Sequence, residues 1–285
     1  MKTTQELISL LSLIDDGDTA VKTAVEDKLI EMGEDVFDEM EKLYPELENK
    51  FNREFYFTYL SNLRLNYTLK KLKLYLSNPD PLLMDGLLLV TSALEPKLDK
   101  YFYMNIVQDM SDEIVEELSD SKTAIENLEI FNYIFFHRMG FRHADESVIQ
   151  EEKALISTVL ETKRGNIFTI PICYFLLSRY AGLPIYPLII NKSFTPAYID
   201  NDNNILFYIN IYKDGLIFND DYLQKKIEAI SENTEKPFAR LGLDRALVSI
   251  YADHLLYLYK QLKNAEKENV MKKILECFGS ERYIN

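Results

Sequence analysis

The chain has 285 residues, 47% of them hydrophobic, and a formal net charge of −14. That length holds one large domain or two to three smaller ones with a substantial core. The acidic balance argues against nucleic acid or an anionic membrane as a partner, because both select a basic footprint.

Residues from Thr4 to Leu76 read as helices. Leu7, Leu10, Leu11 and Ile14 make one stripe, broken by Asp15–Asp18. Val21, Ala24, Val25, Leu29 and Met32 make a second, which ends at Gly33. A third run, Asp35–Leu47, carries Val36, Phe37, Met40, Leu43 and Tyr44, and the helix, acidic turn, helix pattern looks like one HEAT-type hairpin, a HEAT-like start to the chain. Arg53–Leu76 is a long helix whose Lys70, Lys71 and Lys73 read as a solvated face. After the breaker Asn78-Pro79-Asp80-Pro81, helical periodicity returns over Leu82–Ala93, Leu98–Leu118 and Thr123–Met139, the last stopped by Gly140. A further helix is expected over Glu146–Thr162, with Val148, Leu155, Ile156, Val159 and Leu160 on one face.

The character changes over Gly165–Tyr212. Phe168–Ala181 reads as a buried helix, apolar nearly all round, with Pro171 in its first turn and a stop at Gly182-Leu183-Pro184. Ile185–Ile190, Phe194–Asp200 and Ile205–Tyr212 are β-branched and aromatic runs separated by turn clusters, so antiparallel hairpins are expected. Beyond them, Asp221–Ile230 reads as an amphipathic helix and Ser231–Pro237 as a polar linker. Leu243–Leu262 and Asn269–Phe278 read as a helical hairpin similar to one tetratricopeptide unit. The predicted fold class is α+β, predominantly helical, in three parts: a helical domain over 1–139, a core of helix packed on a small sheet over 140–230, and a helical hairpin over 231–285.

Asn132, Phe136 to Arg142, Ile156 to Glu161, Arg164-Gly165, Tyr174, Arg179 and Gly182-Leu183-Pro184 together resemble the SirB-type transglutaminase-like family. The resemblance implies a leading helical domain, a transglutaminase-like core and a tetratricopeptide-like tail. It also implies where a catalytic triad would stand. Such a site needs a cysteine at the leading end of the central helix, where the helix dipole and an imidazole lower the thiol pKa, and then a histidine and an Asp or Asn on the following strands. In the register of Arg179 and Gly182 those positions read Ile167, Ser193 and Asn210, and no histidine occurs between Gly165 and Tyr212. The leading end of the helix is therefore expected to present an isoleucine with no imidazole within reach. Asn166, Tyr174, Lys192, Tyr208 and Tyr212 are the candidates for lining the vacated cleft.

The remaining reactive residues offer little. Cys173 lies six residues beyond Ile167, about 9 Å along the helix axis, among apolar neighbours, and Cys277 reads as a packing residue. Neither cysteine has the spacing of a disulfide framework or a zinc site. His137 and His143 flank Gly140, and with Asp145, Glu146 and Glu151 they match no standard metal motif. His254, on an apolar helix face, reads as a core histidine. No Gly-rich phosphate loop is present, and no metal or cofactor is expected. The N-terminus does not read as a signal peptide and no apolar run reaches membrane-spanning length, so a cytoplasmic protein is expected. The predicted function is a catalytically inactive transglutaminase-like scaffold whose partner is a protein or peptide. The alternative is a cysteine-dependent hydrolase or acyltransferase that uses Cys173 with His137 or His143. A vacated cleft also suits a regulatory ligand.

Overall fold

Most of the breaks in the apolar periodicity become helix ends. In the computed structural model, which describes residues 2–144, 149–190, 193–202, 204–219, 221, 223, 239–241 and 243–279, helices α1 (Lys2–Leu11), α2 (Thr19–Glu31) and α3 (Asp35–Leu47) follow the three expected stripes. Asp18 caps α2 by accepting from the Ala20 amide at 2.8 Å, and Gly33 takes the left-handed backbone that separates α2 from α3. The chain divides into two compact units, residues 1–73 and 74–285. In the first, Leu7, Leu11, Leu29, Phe37, Met40 and Tyr56 are fully or almost fully buried in one cluster, and the Tyr56 hydroxyl donates to the Met40 carbonyl at 2.8 Å. The long helix α4 (Arg53–Ser77) spans the division.

The second unit carries α5 (Leu83–Ser92), α6 (Lys100–Val115), α7 (Ala124–Asn132), α8 (Ile156–Thr162), α9 (Thr169–Tyr180), α10 (Asp244–Gln261) and α11 (Ala265–Phe278). From Tyr133 to Arg138 helix α7 widens into a π-helix. The wide turn buries Ile134, Phe135 and Phe136 in succession. Phe135 stacks on Phe141 with centroids 4.4 Å apart, and both Phe131 and Phe135 meet Tyr174 edge-on.

Strand β1 (Arg142–His143) pairs in parallel with β2 (Arg164–Gly165). The main sheet holds β3 (Ile185–Ile190), β4 (Ser193–Ile199), β5 (Ile205–Asn210), β6 (Leu216–Phe218) and β7 (Ala239–Leu241) in the order β6-β5-β4-β3-β7, with every neighbouring pair antiparallel. The α+β, predominantly helical fold class is thus present, with eleven α-helices and this small antiparallel sheet among the described residues. Helix α9 lies at the centre of the unit, packed against α6, α8, α10 and β3, with Thr169 to Ser178 all buried.

Two expectations are corrected. Over its described residues 149–162, the helix expected over Glu146–Thr162 is the seven-residue α8, preceded by a single 3-10 turn at Glu151–Lys153. Leu155, at its N-cap, has no side chain able to satisfy the open amides; instead the buried Tyr251 hydroxyl of α10 accepts from the Ile156 amide at 3.0 Å. The last predicted strand stops at Asn210, where a 3-10 turn over Ile211–Lys213 replaces its end. The segments expected as a helix over Asp221–Ile230 and a linker over Ser231–Pro237 lie outside the described residues, apart from Asp221 and Leu223.

Candidate functional site

The leading end of α9 is where the resemblance places a nucleophile, and its local structure is set by Asn166. This side chain takes the capping role: Oδ1 accepts from the amides of Phe168 at 2.9 Å and Thr169 at 3.0 Å. The Thr169 hydroxyl in turn donates to the Lys153 carbonyl at 2.7 Å, and the Asn166 amide reaches the same carbonyl at 2.9 Å. Gly165 must be glycine for this to close, since a Cβ there would stand 2.5 Å from Thr169 Oγ1. Ile167 follows, 37% exposed, with its carbonyl accepting from the Tyr212 hydroxyl at 3.1 Å.

An imidazole does reach this point, which corrects the expectation drawn from the strands alone. His254 comes from α10: its Nε2 lies 2.7 Å from Asn166 Nδ2, and its ring stacks on Phe168 with centroids 4.2 Å apart. Because Asn166 Oδ1 is committed to two backbone amides, Nδ2 must face the histidine and donate to Nε2. The proton of the neutral ring therefore sits on Nδ1. Burial pushes the His254 pKa down to about 4, against a smaller opposing pull from the Asp253 carboxylate, so the ring is neutral near pH 7. A second imidazole, His143 on β1, packs against the Tyr212 ring at 5.0 Å.

Ala144, Ile149, Gln150, Lys153, Asn166, Ile167, Phe168, His254, Tyr257 and Leu258 line a cavity of about 250 Å³ at this end of α9. No sulfur lines it. Cys173 is fully buried further along the helix, and burial pushes its thiol up to about 12, outweighing the opposing effect of the Lys163 ammonium. Cys277 is half-buried on α11, its thiol turned to the Lys273 carbonyl.

The other expected site residues scatter. Asn210 ends β5 and accepts from the Tyr212 amide, which sets up the turn that brings Tyr212 over Ile167. Ser193 begins β4 opposite Ile190; its side chain and Lys192 lie outside the described residues. Tyr174 is fully buried and donates to Asn132 Oδ1 at 2.7 Å, so it braces the core instead of lining a cleft. Tyr208 is buried with Leu188, Ala197 and Leu223, in a cluster separate from the one that Phe168 joins. His137, on the π-turn, is exposed and lines a different cavity of about 470 Å³ with Tyr133, Asn132 and Lys213 to Ile217. Among the described residues no cluster of His, Cys, Asp or Glu suits a metal ion, and no helix is long and apolar enough to cross a membrane. Of the residues named from sequence, Asn166, Ile167 and Tyr212 meet at the tip of α9. His254 was missed as a participant because its link to Asn166 spans 88 residues.

No curated protein and no solved structure matches the chain. A family model described as the transglutaminase-like superfamily matches residues 102–246, which runs from α6 through the buried helix and the sheet into the first turn of α10. That match takes in just over half of the sequence, and the chain belongs to the transglutaminase-like superfamily.

Proposed function

We propose that the chain is a catalytically inactive, SirB-type member of this superfamily that works as a scaffold or protein-interaction protein in the cytoplasm. The observation that carries the reading is Ile167, an alkyl side chain at the leading end of α9 where attack on a carbonyl needs a thiolate. His254, the imidazole bound to the helix tip, is neutral and spends its acceptor nitrogen on Asn166, so it has no nucleophile to activate. Cys173 is sealed in the core, and a thiol with a pKa near 12 holds almost no thiolate at pH 7. The exposed apolar side chains Ile149, Ile167 and Tyr257 around the cavity mouth supply surface of the kind that protein and peptide partners cover.

Assays of thioester hydrolysis, amide hydrolysis and acyl transfer to an amine, run on the wild type and on Cys173→Ala, test the reading. Both proteins are expected to stay at the uncatalysed rate. A measurable wild-type rate that Cys173→Ala abolishes would establish the cysteine hydrolase instead.

A further inference from the structure

The cavity at the tip of α9 has apolar walls and a particular polar inventory. Asn166 spends Oδ1 on two backbone amides and one of its two Nδ2 hydrogens on His254 Nε2, which is thereby occupied. The His254 Nδ1–H makes no hydrogen bond among the described residues, and the lining adds the Gln150 amide, the Tyr257 hydroxyl and the Lys153 ammonium. Ile149, Ile167, Phe168, Tyr257 and Leu258 surround it with hydrocarbon and aromatic surface. Glu151, close by in sequence, is neutralised by Lys267. Lys153 is the cation on the lining, in a chain whose net charge of −14 repels anions. Pockets for drug-sized ligands measure roughly 300–1,000 Å³, so a volume of about 250 Å³ suits a smaller molecule.

We infer that this cavity binds a small uncharged molecule, an apolar body bearing one hydrogen-bond acceptor, with the acceptor taken by His254 Nδ1–H. His254, Tyr257 and Leu258 lie on α10 beyond residue 246, where the superfamily match ends. The site is thus built jointly by the C-terminal hairpin and the shared core, at the helix tip where the resemblance places a nucleophile. The inference goes beyond the scaffold reading and does not rest on it: a catalytic Cys173 would leave the cavity as it is.

The test uses the full chain and three probes of similar shape: acetophenone, which is neutral with one carbonyl acceptor; benzoate, an anion; and 1-phenylethylammonium, a cation. Binding is followed by the amide shifts of Phe168 and Tyr257 in NMR titrations. Acetophenone is expected to saturate and to bind more tightly than either ion. His254→Phe keeps a ring against Phe168 while deleting the donor, and it should weaken acetophenone roughly three- to tenfold, the worth of one net hydrogen bond. Ile167→Glu changes an exposed side chain, so the fold should hold, and the carboxylate it places at the mouth should weaken acetophenone as well. The inference is overturned if no probe saturates, if benzoate or the cation binds as tightly as acetophenone, or if folded His254→Phe or Ile167→Glu binds it unchanged. Should His254→Phe not fold, the comparison of probes and Ile167→Glu decide the matter on their own.

Discussion

At the residue scale one amide organises the site. Asn166 caps α9 through Oδ1 and fixes the tautomer of His254 through Nδ2. Asn166→Ala removes both, and loss of a side-chain cap alone costs about 1–2 kcal/mol, which a urea unfolding curve would register. Asn166→Asp separates the two roles. Its carboxylate still accepts from the backbone amides but now faces His254 Nε2 with an acceptor, so the imidazole proton should move to Nε2 with most of the stability retained. Nitrogen chemical shifts of the ring report the tautomer directly, and an unchanged Nδ1–H form would refute the hydrogen-bond assignment. Asn166 was legible as half of a Gly-Asn pair before an apolar helix, and Ile167 through the family register fixed by Arg179 and Gly182. His254 could be seen only as one apolar-face residue among several, since nothing within a helical turn announces a partner on another helix.

At the element scale the ends of α9 show what local chemistry dictates. The Gly182 amide bonds the Arg179 carbonyl and the Leu183 amide bonds the Ser178 carbonyl, with Gly182 at φ +73°, the Schellman arrangement that a glycine before Leu-Pro leads one to expect. No atom lies within 4 Å of a Cβ built there, so Gly182→Ala should cost about 1 kcal/mol from left-handed backbone strain alone. Thermal unfolding checks it, and no change in Tm would mean the turn relaxes freely. Helix α8 is the opposite case. Its first turn relies on Tyr251, a capping group on α10 that periodicity cannot reveal. Tyr251→Phe leaves the buried Ile156 amide without its partner and should destabilise by about 1–3 kcal/mol. The strand β3 was readable to both ends from its β-branched run. In contrast, β7 has three residues and exists only through pairing with Leu188 to Ile190, a long-range contact.

At the scale of the whole molecule, the superfamily core was foreshadowed by motif spacing, while the joining of core and C-terminal hairpin through Asn166 and His254 was not. That junction makes stability depend on pH. An unfolded chain binds a proton at His254 with the ordinary pKa near 6.5, whereas the folded chain resists it until about 4. The stabilisation is therefore complete above pH 6.5 and is lost as pH falls towards 4, on the order of 2 kcal/mol. Unfolding midpoints between pH 7 and 4.5 should fall for the wild type and fall less for His254→Phe; parallel curves would place the acid sensitivity elsewhere.

The central claim is that the buried helix of this transglutaminase-like core carries no usable nucleophile. The rate of iodoacetamide labelling at Cys173 in the native protein at pH 7, followed by mass spectrometry, measures this most directly. Labelling that appears only after denaturation is the predicted result, and rapid native-state labelling of Cys173 would contradict the account.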